Sequence, residues 1–302
     1  MRREREELLY LLRQHPGFWT LLAKSRLSLL ELIKELNRLY EEGLVKASNG
    51  RLLLTERALK LINQKSHYYL PRSCKSCRGK GFILSPRLNR VLKEFKTIVK
   101  RAPSPLASYF QGCISPRDTI ARVALMNHYN DVADKDIVLI GDDDMLSIAL
   151  ALTSLPRRVV VLDIDERIGD FIEKVNRKKK IEIEFFRYDV ADPLPRSLLK
   201  SFDVFSTEPL ETRSGFLAFI SRALACLRRN GAGYIGLTTQ EVSMKRWHEF
   251  ELALLSSGLV ITALFPNFST YVDGLSGDSG EEFEWFVKKL KFKVPRNKRV
   301  NW

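Results

Sequence analysis

The sequence predicts a doubly wound, Rossmann-like α/β fold with a mainly parallel sheet, preceded by a small winged-helix domain. Two observations predict the sheet. From Ser115 onward, runs rich in Val, Ile and Leu alternate with segments of helical periodicity. The run Ile137-Val138-Leu139-Ile140 then ends at Gly141 and an apolar helix follows, which is the strand–glycine–helix order of a first nucleotide-binding turn. A third observation predicts the smaller domain: two apolar helices lead into Leu44–Leu54, whose centre is Asn49-Gly50, a strong hairpin signal.

The smaller domain, residues 1–70, opens with a helix over Glu6–Gln14, broken at Pro16-Gly17. Apolar residues at helical spacing from Ser28 predict a second helix running to about Glu42, which Gly43 ends as a C-cap glycine. The hairpin follows, and Thr55 is placed to cap a last helix. Such modules bind DNA or serve in dimerisation and packing. The helix that would enter a groove carries Glu31, Glu35, Glu41 and Glu42 beside Lys34 and Arg38, which argues against tight phosphate contact.

Residues 71–110 form a basic connector that begins with Cys74-x-x-Cys77 and reads as helical over 83–110, up to Pro103-Ser104-Pro105. The two cysteines supply half of a tetrahedral zinc site, and the sequence holds no second such pair. Cys113 and Cys226 are isolated, so either two chains would share one zinc ion or the pair is structural. No metal is assigned.

Residues 111–302 carry the sheet. Helix 118–129 leads to a strand at 136–140, and helix 145–153 leads to a strand at 158–162 that ends in Asp163-Ile164-Asp165. Helix 166–178 leads to a strand over 181–188, ending at Asp189. The fourth strand, 202–206, precedes Thr207-Glu208-Pro209-Leu210-Glu211-Thr212. Helix 215–228 and a fifth strand at 231–237 come next, then helix 243–255 and a sixth strand at 259–264. A last strand is predicted over 285–294.

The net charge of +14 is unevenly spread. Residues 1–70 hold 13 Lys and Arg against 8 Asp and Glu, residues 71–110 hold 10 against 1, and residues 111–302 hold 27 against 27. The sheet domain is therefore neutral, and its acidic clusters are not masked by a positive field. No run of 18 apolar residues exists, and the charged start Met1–Glu7 lacks an apolar signal core, so a cytoplasmic protein is expected. Four glutamines against 50 Lys and Arg point to a thermophilic source.

Ligands of such sheets bind at the carboxyl ends of the strands. There the turn reads Gly141-Asp142-Asp143-Asp144 where further glycines would be usual. One Asp suffices to cap a helix, whereas three adjacent carboxylates repel an anion and attract a cation. Asp163 lies 22 positions beyond Gly141, the spacing from which an acidic residue reaches a ribose hydroxyl, while Asp165 suits the cap of the next helix. Asp189 is placed for an adenine amino group, and Glu208 and Glu211 stand at the fourth strand end.

These segments, with Val161-Leu162-Asp163-Ile164-Asp165 and Gly231-Ala232-Gly233-Tyr234-Ile235-Gly236-Leu237-Thr238, resemble the archaeal and bacterial branched-chain polyamine synthases, the N(4)-bis(aminopropyl)spermidine synthases. The resemblance extends to the winged helix and covers nearly the whole chain. It departs where the family tends to read Asp-Pro-Pro-Glu-Thr and this chain has Glu208-Pro209-Leu210-Glu211-Thr212. It implies an S-adenosyl-ligand fold and transfer of an aminopropyl group from decarboxylated S-adenosylmethionine to the secondary amine of spermidine or a related polyamine, releasing methylthioadenosine. On that reading Asp143 or Asp144 is the general base. Gly141, Asp142, Asp163, Asp165 and Asp189 bind the donor, and Glu208, Glu211 and Tyr234 the acceptor, although a strand tyrosine also suits the core. The donor is a co-substrate and no cofactor is implied. A homodimer is expected, with no membrane partner. The rival readings are an S-adenosylmethionine-dependent N-methyltransferase, its basic 71–110 segment holding nucleic acid, and a ligand-sensing regulator.

Overall fold

The computed structural model describes residues 3–25, 27–62, 74, 76–77, 80–112, 114–238, 242–270 and 287–294. The N-terminal unit has helices α1 (Arg3–Gln14), α2 (Phe18–Lys24) and α3 (Leu29–Glu41), an antiparallel hairpin of β1 (Val45–Ser48) and β2 (Arg51–Leu54), and α4 (Glu56–Leu61). Helix α2 takes up the chain that resumes after the Pro16-Gly17 break. Ser28 and Glu31 form a capping box at α3, and Thr55 caps α4 as its sequence suggests. Asn49 and Gly50 both have positive φ, the conformation a two-residue hairpin turn requires. Leu8, Leu9, Phe18, Leu21, Leu32 and Leu36 fill the core between these helices.

Helix α5 (Pro86–Val99) then turns Val91, Leu92 and Phe95 into the core that lies on one face of the larger sheet. That sheet has five strands: β3 (Asp136–Ile140), β4 (Arg158–Asp163), β5 (Glu184–Arg187), β6 (Phe202–Thr207) and β7 (Leu227–Ile235). Their spatial order is β5-β4-β3-β6-β7, and every pairing is parallel. The crossovers carry α7 (Leu146–Ala151), α8 (Glu166–Lys179) and α9 (Arg213–Cys226); α6 (Pro116–His128) precedes β3 and α10 (Met244–Ser256) follows β7. Successive residues of β3 face opposite layers, as a strand of period two buried on both sides must. Ile137 and Leu139 join the core with α5 to α8, and Val138 and Ile140 the core with α9.

Two expected strands are corrected. Residues 259–264 are irregular, with Val260 79% and Leu264 66% exposed, and among the described residues no strand lies beside the segment to take its backbone groups. The described part of the segment expected as a last strand, residues 287–294, forms a short turn instead. Its Leu290 and Phe292 bury against the N-terminal core, and Asn37 exchanges hydrogen bonds with the backbone of Lys289 and Lys291 at 2.9 and 2.8 Å. Among the described residues, no helix is long and apolar enough to cross a membrane.

Candidate active site

Strand order reverses beside β3: the chain winds outward through β4 and β5, then returns to the other side as β6. β3 and β6 stay paired to their carboxyl ends, but the chains leaving them run to helices on opposite faces of the sheet, and a crevice opens between them at this switch point. It is lined by Gly141, Asp142, Asp143 and Asp144 after β3, by Ser206, Thr207 and Glu208 at the end of β6, and by Arg122 of α6, with Leu139 and Leu146 below. Its enclosed part, about 20 Å³, holds about one water molecule, and beyond that it opens to solvent.

Gly141 makes the turn with φ +79°, a conformation that disfavours any side chain. The three aspartates then diverge to separate partners. Asp142 is buried and accepts from the backbone and hydroxyl of Ser147 in the first turn of α7; burial raises its pKa well above the carboxylate range. Asp143 accepts from the Gly112 backbone at 2.9 Å, and burial together with the neighbouring Asp144 raises its pKa to about 8. Asp144 accepts from the Ile114 backbone at 2.8 Å and pairs with Arg122 at 3.1 Å; burial pushes its pKa up while Arg122 draws it back.

Asp163 holds the turn from beneath. Its two oxygens accept from the backbone of Asp142 and of Asp165, each at 2.9 Å, and burial raises its pKa. Asp165 caps α8 as expected; burial opposes its charge, but bonds from Arg167 and Gln111 hold its pKa low. Asp189 is exposed at the end of β5, one oxygen bonded to the Ala191 backbone. Glu208 reaches the crevice and bonds Arg122. Glu211 does not border it: its carboxylate bonds the backbone and hydroxyl of Thr238. Tyr234 packs against the core with α5 to α8 and donates to Asp131 at 2.6 Å, with its pKa raised first by burial and then by that bond.

Cys74 is exposed and Cys77 half-buried, and hydrogen bonds from Cys77 hold the Cys74 thiol below its usual range. Cys226 is buried behind the sheet, which pushes its thiol up to about 11, and Cys113 lies outside the described residues. No cluster of three or more potential metal ligands occurs among the described residues. Sequence reasoning missed Arg122, Gly112 and Ile114. The two backbone donors carry no side-chain signal, and a single arginine in an amphipathic helix reads as surface.

The family model described as the branched-chain polyamine synthase A C-terminal domain matches residues 90–299. The chain belongs to the branched-chain polyamine synthase family. Similar relatives include an N(4)-bis(aminopropyl)spermidine synthase of Methanocaldococcus jannaschii, 38% identical over 91% of this chain and 79% of that one. A synthase of the same name from Thermococcus kodakarensis is 35% identical over 97% and 84%. The branched-chain polyamine synthase of Thermus thermophilus, solved with N4-aminopropylspermidine and 5'-methylthioadenosine, superposes with a TM-score of 0.84 at 31% identity, covering 99% of this chain and 85% of that chain. Polyamine synthase family members thus share this fold along nearly its full length.

Proposed function

We propose that this chain transfers the aminopropyl group of decarboxylated S-adenosylmethionine to the secondary amine of spermidine or a related polyamine. The observation that carries the reading is the acidic crevice at the switch point, where Asp143, Asp144 and Glu208 face one opening. A polycation needs several carboxylates in one place, and an attacking amine needs a group to take its proton. The amine nitrogen forms a bond to the aminopropyl carbon on sulfur. The carbon–sulfur bond breaks, its electron pair returns to the sulfonium as the thioether of methylthioadenosine, and the ammonium proton passes to a carboxylate. Asp143 suits that step, since its raised pKa of about 8 gives it real proton affinity near neutral pH. Asp144 and Glu208 hold the flanking ammonium groups and keep the nitrogen in line with the reacting carbon.

The donor lies across Gly141, with Asp163 ordering the turn beneath it and the free oxygen of Asp189 turned to the adenine. Glu211 joins the acceptor only by leaving Thr238, and Tyr234 serves as a core residue. The N-terminal unit is a winged helix used for packing, residues 71–110 its basic connector, and residues 111–302 the transferase domain. The enzyme is a homodimer. Leu252 and Leu255 of α10 and Val260 and Leu264 beyond it are exposed, and β7 ends the sheet among the described residues. Exposed apolar surface of this kind suits a second copy of the chain.

Mass spectrometry of the protein incubated with spermidine and decarboxylated S-adenosylmethionine tests the activity. N4-aminopropylspermidine, or its doubly aminopropylated product, should appear with one methylthioadenosine for every aminopropyl group transferred. A folded protein that makes neither would end the reading.

A further inference from the structure

Arg122 is the basic side chain among the described residues that line the crevice. Its guanidinium is mostly buried and reaches three separate segments. It donates to Asp144 Oδ2 at 3.1 Å, to Glu208, and from Nε and Nη2 to Ser269 Oγ at 3.1 and 2.7 Å. Asp144 belongs to the β3–α7 turn and Glu208 follows β6, so one side chain spans the switch point. A guanidinium is well suited to such a bridge, because its fork offers donors in several directions and it stays charged when buried.

The charges around it give the bridge a consequence. Asp143 and Asp144 come from the turn, Asp163 from the end of β4, and Glu208 from beyond β6. Asp118 lies one turn back on α6 with Lys80 at 3.2 Å. Carboxylates outnumber cations here. Two adjacent buried carboxylates left to themselves share a proton, because like charges at short range resist joint ionisation. With Arg122 on Asp144, that charge is matched and Asp143 alone is left to gain and lose the proton.

We propose that Arg122 is a positioning residue for the transfer: bridging Asp144 and Glu208, it fixes both walls of the acceptor crevice, keeps Asp144 ionised and leaves proton acceptance to Asp143. The proposal rests on the transferase reading above. It is tested by methylthioadenosine release from wild type, R122Q and R122K between about pH 6 and 10. R122Q removes the charge, so the acid limb of kcat/KM should move up by about one pH unit or more. R122K keeps the charge but not the fork. Its limb should stay in place while the KM for spermidine rises roughly tenfold and the KM for the donor does not change.

A folded R122Q with the wild-type limb overturns the proposal. If R122Q does not fold, R122K decides alone: an unchanged spermidine KM, or equal rises for both substrates, overturns it. Wild type that is folded yet releases no methylthioadenosine removes the transferase reading itself, and the proposal with it.

Discussion

Asp143 is a carboxyl group whose proton affinity is set by what surrounds it: a half-buried position, a backbone donor at 2.9 Å and the charge of Asp144 next along the chain. Two results follow for D143N. Loss of a general base should lower kcat about a hundredfold or more, measured as methylthioadenosine release. Stability should move the other way. The folded pKa is about 8 and the unfolded value is far lower, so between the two the folded state binds more protons and wild-type stability falls as pH rises. Above about pH 8 both states are ionised and the full penalty is present. D143N carries no such penalty, so its melting temperature should exceed the wild type's at about pH 9, with the gap closing toward pH 4. A gap that widens on acidification would mean that Asp143 is stabilised in its charged form. The positions of these carboxylates were legible in the sequence, but their directions were not. Asp142 turns inward to Ser147 and Glu211 outward to Thr238, because hydrogen bonds one turn or one strand away decide where a carboxylate points.

At the scale of elements, the β3–α7 turn depends on backbone that only glycine adopts easily. Gly141 has φ +79°, while a methyl group there would meet only Phe219, at an ordinary 3.8 Å. Gly141→Ala should therefore cost roughly 1–2 kcal/mol through backbone strain rather than through a clash, read as a shift in denaturant midpoint. Gly236 differs: a methyl group there would lie 2.6 Å from Glu208 Oε1. Gly236→Ala should displace that carboxylate from Arg122 and raise the acceptor KM with little loss of stability. β3, β4 and β6 were legible because their apolar runs are buried on both faces, whereas the helix expected over 83–110 ends at Val99 and α2 was not expected at all. Residues 259–264 and 287–294 were not legible, since an apolar run is strand-like in sequence whether or not another strand lies beside it.

For the whole molecule, the chain folds back on itself. Phe292 is 9% exposed against a core built from residues of the first 62, so Phe292→Ala should cost about 3 kcal/mol and loosen the N-terminal unit before the sheet. Hydrogen exchange that rises first in α1 to α3 would check it. The surplus of positive charge sits ahead of residue 111, while the crevice lies in the neutral remainder with carboxylates in excess. The excess of carboxylates favours a donor ending in an ammonium over one ending in a zwitterion, whose carboxylate they would repel once Asp143 is ionised. The most direct measurement offers the protein both sulfonium donors with spermidine in one reaction and counts the nucleoside released. Methylthioadenosine, one per aminopropyl group transferred and with no S-adenosylhomocysteine, is the predicted result. S-adenosylhomocysteine as the main product, with methylated rather than aminopropylated amine, would contradict it.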